Sequence, residues 1–262
     1  MRLAGKKVLI TGGSRGIGKC MIAELIQHGV KHFGVIARDK SNLKELRTTF
    51  EGVEFVLVRG DVADINVLRE AASKVEDKWG SLDILINNAG IVSAGAIEDT
   101  SDEEIYDQVA VNLTAVLFLT KYCLPLLKAS EEAYILNVSS GLGLIGMPFY
   151  AVYASTKAGI RQFSDSLRRE LEPFPISVTC VYPTATDTDM MKTSTAQNMD
   201  SPEYVAERSI QGMIDKELHV IFGGEERLED NVLNFESPEE FDKKIAGNYE
   251  AWKEATQNHK AL

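Results

Sequence analysis

The chain has little cysteine, no excess of positive charge and no long apolar run. Its three cysteines, Cys20, Cys123 and Cys180, are far apart and odd in number, which excludes a disulfide framework. They fall inside expected helices and strands, so buried reduced thiols and a cytoplasmic setting are expected. Four scattered histidines (His28, His32, His219, His259) make no metal-ligand spacing and read as structural or surface groups, so no metal site is expected. The net charge of −11 leaves no broad basic face, so neither nucleic acid nor an anionic membrane surface is an expected partner. No run approaches the ~18–20 apolar residues of a membrane span. Residues 1–7 lead straight into a strand, so no signal peptide is expected.

What is present is a globular composition, 44% apolar and 26% charged over 262 residues. Short apolar runs mark strands at 7–10, 33–37, 53–58, 82–86, 133–138, 176–182 and 219–222, with helical patterns between them. That alternation predicts a single-domain, doubly wound α/β fold. It would be a Rossmann-type parallel sheet of about seven strands with helices on both faces, over residues 1–224. Residues 225–262 hold ten acidic and five basic residues and read as an acidic extension. One amphipathic helix is expected there, its stripe of Phe241, Ile245, Tyr249 and Trp252 docking on the same domain or on a partner subunit.

The first strand runs into Thr11-Gly-Gly-Ser-Arg-Gly-Ile-Gly18 and then a helix. Strand, glycine turn and helix N-terminus together can cradle a pyrophosphate. Gly12 would permit the turn, Gly16 the approach of phosphates and Gly18 the packing of helix on sheet; Ser14, Arg15 and Ile17 complete the loop. The spacing is Gly-x-x-x-Gly-x-Gly, and alone it fits a structural turn equally well. A site for a plain ribose usually places an acid about 20 residues after the glycines, whereas this second strand ends in Ala37-Arg38. Arg38, with Arg15 nearby, would suit a 2′-phosphate and hence NADP(H); Asp39, one residue on, argues the other way. Asp61 and Val62 stand where an adenine could be gripped, although Asp61 could instead cap the following helix. Asn87-Asn88-Ala89-Gly90 ends the fourth strand, and small residues with buried amides suit a crevice beside a cofactor.

Between Asn137 and Lys157 a strand ends in two serines, followed by a Gly-rich loop and a helix carrying Tyr153 and Lys157 at i, i+4. A cation beside the phenol favours phenolate, so this tyrosine could exchange a proton with a carbonyl or alcohol oxygen. Ser140 could hydrogen-bond the same oxygen. Tyr249 and Lys253 share the spacing but no preceding glycine loop, and read as an ordinary helix face. Asn112 sits inside a long helix pattern opened by a capping box at Ser101 and Glu104 and running to Lys128. A mid-helix asparagine is unfavourable by propensity, so it should bond something. Residues 189–198 have no clear period and read as a mobile loop over a site.

In order and spacing, Thr11–Gly18, Asp61-Val62, Asn87–Gly90, Asn112, Ser140 and Tyr153-x-x-x-Lys157 resemble the common form of the short-chain dehydrogenase/reductase superfamily, over residues 5 to about 223. The resemblance implies that Tyr153 is the acid/base and that Ser140 polarises the carbonyl. It further implies that Lys157 holds the nicotinamide ribose and lowers the Tyr153 pKa, and that Asn112 bends its helix and holds a proton-relaying water. Pro183 and Thr188 would lie against the nicotinamide. Thr184 stands where the family usually has glycine. A homodimer is expected, with a tetramer as the alternative. The implied activity is hydride transfer between NADP(H) and a carbonyl or secondary alcohol. With no cluster of Arg or Lys near the reaction centre, an uncharged, largely apolar substrate is expected; among the wall residues would be Leu142, Leu144, Ile145, Met147, Phe149, Tyr150, Met190 and Met191. An NAD-dependent dehydrogenase and a non-catalytic NADPH-binding sensor are the alternatives.

Overall fold

Alternation of side chains decides the layering. A computed structural model describes residues 3–196 and 198–261; Met1, Arg2, Gln197 and Leu262, and with them parts of the 1–7 and 189–198 readings, lie outside it. In chain order the elements are β1 (Lys7–Thr11), α1 (Gly16–Gln27), β2 (His32–Ala37), α2 (Lys40–Thr49), β3 (Glu54–Arg59), α3 (Ile65–Trp79) and β4 (Ile84–Asn87). Then come β5 (Val92–Ser93), α4 (Asp102–Val109), α5 (Ala115–Lys128), β6 (Ala133–Val138), α6 (Ala151–Glu170) and β7 (Ile176–Tyr182). The remainder is α7 (Pro202–Ile214), β8 (His219–Ile221), α8 (Gly224–Glu236), α9 (Pro238–Ala246), α10 (Tyr249–Thr256) and β9 (Lys260–Ala261).

Seven strands form one parallel sheet in the order β3-β2-β1-β4-β6-β7-β8. Val8 and Ile10 of β1 face a core made with α1, α2 and α7, while Leu9 faces the core made with α3, α5 and α6. Strands buried on both sides explain the near-continuous apolar runs read from the sequence. The order reverses between β1 and β4, so loops leaving their C-terminal ends diverge and leave a crevice. That crevice holds the site.

Three features differ from the sequence reading. The helix expected from Ser101 to Lys128 is interrupted by a π-helical turn, Ala110–Thr114, with Asn112 at its centre. Its continuous Asp102–Lys128 run is long and apolar enough to cross a membrane. Here that apolar face, including Leu119, Cys123 and Leu127, is buried in the core shared with α3. The extension forms three helices rather than one, because the chain turns at Ser237 and again at Gly247-Asn248. The expected stripe is therefore split: Phe241 is buried, Trp252 packs with Val92 and Tyr150, and Tyr249 stays half exposed. Finally, β9 adds an antiparallel pair with β5 that nothing in the sequence announced.

Candidate active site

The glycine loop is shaped by close approach. Gly12 and Gly16 have φ of +66° and +51°, a region open to glycine. A Cβ on Gly18 would stand 2.4 Å from the Gly12 carbonyl oxygen and 2.6 Å from Asn88 Nδ2. Asn88 Nδ2 donates to the carbonyls of Thr11 and Gly12 (3.0 and 3.3 Å), and the N–H groups of Asn88 and Ala89 both donate to Thr11 Oγ1. Thr11 is thus a clamp between the ends of β1 and β4, a role the sequence reading did not assign it. Gly18→Ala is expected to lower stability by about 1–3 kcal/mol, the cost of overpacking, read from the midpoint of a urea titration.

A cleft of about 900 Å³ runs from this loop across the ends of β1, β4, β6 and β7. It is lined by Gly12, Ser14, Arg15, Gly16 and Ile17 at one end, and by Ser140, Tyr153 and Lys157 at the other. Arg38, Asp61, Val62, Asn88, Ala89, Gly90, Pro183 and Thr188 also face it. Gly18 and Asn112 do not line it. Gly18 packs beneath the loop, and Asn112 lies behind Gly90.

At the ribose end, Asp39 caps α2: its Oδ1 accepts from Asn42 N at 2.7 Å and Ser41 Oγ at 2.9 Å, which holds its carboxyl below the usual range. Asp61 is not a helix cap; Asp64 fills that position for α3, and Asp61 faces Arg38 at 3.7 Å. Arg15 pairs with Asp189 at 3.2 Å. A Cβ on Gly16 would meet Thr188 Cγ2 at 3.3 Å, so the segment after β7 lies across the glycine loop.

At the other end, Tyr153 and Lys157 are buried on α6. Burial pushes the Tyr153 phenol up to about 12, and its hydrogen bond with Ser140 pulls it the other way. Burial pulls Lys157 down to about 8. Its Nζ donates to the Val138 carbonyl at 3.0 Å and lies 5.7 Å from the Tyr153 ring centroid. Desolvation sets the direction, opposed only by the Ser140 hydrogen bond; the lowering of the phenol expected from Lys157 is not among the effects in this arrangement. Asn112 meets its expected need for a partner twice over. Its Oδ1 accepts from Ile91 N at 2.8 Å, and its Nδ2 donates to the Ile91 carbonyl at 2.9 Å and to Thr156 at 3.3 Å. A Cβ on Gly90 would stand 3.3 Å from Asn112 Oδ1 and 3.4 Å from Lys157 Nζ, so both groups face one small space.

The substrate end is walled partly as expected. Val92, Leu142, Tyr150, Met190 and Met191 face the cleft. Ile145 is core, Leu144 packs with Ile160 and Tyr182, and Phe149 stacks near Tyr249 at 5.3 Å. Sequence reasoning missed the closing wall, which comes from the extension: Trp252 and His259. His259 is buried, faces the Tyr150 hydroxyl at 2.8 Å and the Met190 carbonyl at 3.2 Å, and burial lowers its pKa. Lys260 beside it hydrogen-bonds Glu104, which with the Ser101 backbone holds that carboxyl down at about 2. Thr184 donates to Asp200 Oδ2, so its hydroxyl is engaged away from the reaction centre.

Comparison with known proteins bears on this geometry. The family described as short chain dehydrogenase matches residues 6–199. An uncharacterized oxidoreductase of Thermotoga maritima is 37% identical over 193 residues, covering 72% of this chain and 75% of that protein. The 3-oxoacyl-(acyl-carrier-protein) reductase FabG of Vibrio cholerae is 33% identical over 192 residues, 73% of this chain and 78% of that protein. A short chain dehydrogenase of Burkholderia cenocepacia, solved in complex with NADP, superposes with a TM-score of 0.74 at 26% identity, covering 86% of this chain and 98% of that one. A family match from β1 through β7 and into the cleft-covering segment leaves one conclusion: the chain belongs to the short-chain dehydrogenase/reductase family and is an NAD(P)-dependent oxidoreductase.

Proposed function

We propose that this protein is an NADP(H)-dependent reductase of a ketone or aldehyde on a largely apolar skeleton, running in reverse as a dehydrogenase of the corresponding secondary or primary alcohol. The observation that carries the reading is one cleft joining the buried Tyr153 and its neighbour Ser140 to a ribose end where Arg38 lines the cleft and Asp39 is engaged in capping α2. The residues fit the cofactor: the first turn of α1 carries no acid and no side-chain cap, and leaves backbone N–H groups toward the cleft. The Burkholderia relative was solved with NADP, which supports the same preference. When bound, NADPH supplies the hydride.

The chain's own residues do the rest. Ser140 and Tyr153 would hold the carbonyl oxygen between two hydroxyls, and Tyr153 would donate the proton as the oxygen gains charge. A phenol raised to about 12 is protonated at neutral pH, the form reduction needs. Lys157 would orient the cofactor ribose, and Asn112 would support it through the space at Gly90. The test is NADPH and NADH binding, followed by NADPH oxidation against a panel of ketones and aldehydes. Tight binding with turnover supports the reading; tight binding without turnover on any carbonyl favours a sensor.

Lys157 gives a pH-linked prediction. If its ammonium bonds the ribose, NADPH binding raises its pKa from about 8. At pH 8.5, binding is then expected to take up roughly half a proton, and much less at pH 6.5. Calorimetry in two buffers of different ionisation enthalpy measures this, and Lys157→Met abolishes the uptake. The homodimer would use the exposed apolar face of Tyr106, Val109 and Leu117 on α4 and α5. Gly159 of α6 faces Leu113 of its own chain. A sedimentation mass near four subunits would rule the dimer out.

A further inference from the structure

We propose that Arg227 reads an oxyanion on the substrate, so that the carbonyl compound reduced here carries a carboxylate or comparable group near its carbonyl. The inference rests on the reductase reading above and replaces the uncharged substrate expected from the sequence.

Arg227 stands near the start of α8 and lines the cleft. Two glycines make its slot. A Cβ on Gly223 would stand 3.0 Å from Arg227 Cβ and 3.5 Å from its Cγ, so the stem lies where a side chain there would be. At the other end the guanidinium lies flat on Gly141: Nη2, Cζ and Nε stand 3.2, 3.4 and 3.6 Å from the position of a Cβ there. Gly141 directly follows Ser140, the residue hydrogen-bonded to Tyr153. The positive charge is therefore held beside the reaction centre.

The other cations of the cleft are engaged. Lys157 donates to the Val138 carbonyl, Arg15 pairs with Asp189 and Arg38 with Asp61. Among the described residues the Arg227 guanidinium has no ion-pair or hydrogen-bond partner. A guanidinium offers five donors in a rigid fork and accepts nothing, so a partly buried one with no protein partner is matched by an anion from outside. A surface arginine needs no such match, because water serves it; this one is half-buried and lies across the cleft wall.

The phosphate groups of the cofactor would lie at the glycine loop and Arg38, the opposite end of the cleft. The same cleft has an apolar wall of Val92, Met190 and Trp252, which suits a hydrocarbon skeleton. Carboxylate, carbonyl and apolar body would then meet Arg227, Ser140 with Tyr153, and this wall respectively.

The test compares six-carbon 2-oxo and 4-oxo acids with their methyl esters as substrates. In parallel, binding of hexanoate and methyl hexanoate to the enzyme–NADPH complex is measured by titration. The wild-type protein is expected to prefer acid over ester by at least tenfold in both assays. Arg227→Gln is expected to abolish that preference, bringing the acid-to-ester ratio to about one or below, mainly through KM, and Arg227→Lys to restore part of it. NADPH Kd should move less than threefold in either variant, which also shows that they fold. An acid preference that survives in Arg227→Gln, or none in the wild type, overturns the proposal. A matching loss of NADPH affinity overturns it too, by making Arg227 a cofactor group. Hexanoate binding through Arg227 without turnover of any carbonyl would keep the anion site and defeat only the reductase reading. Ester turnover without acid preference would do the reverse.

Discussion

Tyr153→Phe is expected to lower kcat for NADPH-dependent reduction by about 10³-fold, within the range that a positioned general acid supplies. The ring is buried and the change removes one oxygen, so the core around it is preserved and the effect is chemical rather than structural. Ser140 remains to polarise the carbonyl, but its hydroxyl loses the neighbour that delivers the proton. NADPH Kd should stay within about threefold, because Lys157 is held independently through the Val138 carbonyl. Single-turnover rates beside cofactor titrations check both halves. A variant that retains a tenth of the wild-type rate would remove Tyr153 from the proton path, and Tyr150, its ring 6.4 Å away, would be the next hydroxyl to examine.

Arg38→Asp is expected to shift the ratio of kcat/KM for NADPH over NADH by about 10³-fold toward NADH. Removing a guanidinium from a 2′-phosphate gives up charge-assisted hydrogen bonds worth about 1.5–3 kcal/mol. A carboxylate in its place repels that phosphate and can accept from a ribose hydroxyl. Together these reach about 4 kcal/mol, which is 10³-fold. Asp39 does not already provide this discrimination, because its Oδ1 is engaged at the N-terminus of α2. The ratio is measured with one carbonyl substrate and both cofactors. If it does not change, the 2′-phosphate is read elsewhere, with Arg15 the remaining cation of the loop.

Much of the site was legible because its chemistry is local. Gly12, Gly16 and Gly18 announce themselves by their spacing in one turn between a strand and a helix, and Tyr153 and Lys157 by a helix repeat. Asn112 was readable as a misfit, although the π-turn that resolves it was not. That turn depends on Ile91, twenty-one residues away, accepting and donating to the amide. Asp39, Asp61 and Asp64 show the limit of local reasoning. Three acids in similar contexts take two roles: Asp39 and Asp64 cap α2 and α3 while Asp61 pairs with Arg38, and only the path of each loop decides which. The Tyr153 pKa is a similar case: spacing placed a cation near the phenol, whereas its direction of shift depended on burial.

By itself, the sequence determined the doubly wound sheet, the position of its crevice and which candidate side chains, Ser140, Tyr153 and Lys157, line one end of it. Those follow from residue periodicity and from contacts a few residues apart, which one chain segment can encode. Tertiary structure alone decided how the substrate end is closed. Residues 225–262 fold back so that β9 pairs with β5, His259 meets Tyr150, and Arg227 settles on Gly141. Each of those contacts joins segments roughly 86 to 169 positions apart, where no period or spacing carries information. Two glycines and a short antiparallel pair, rather than any motif, therefore set the charge and shape of that end of the cleft.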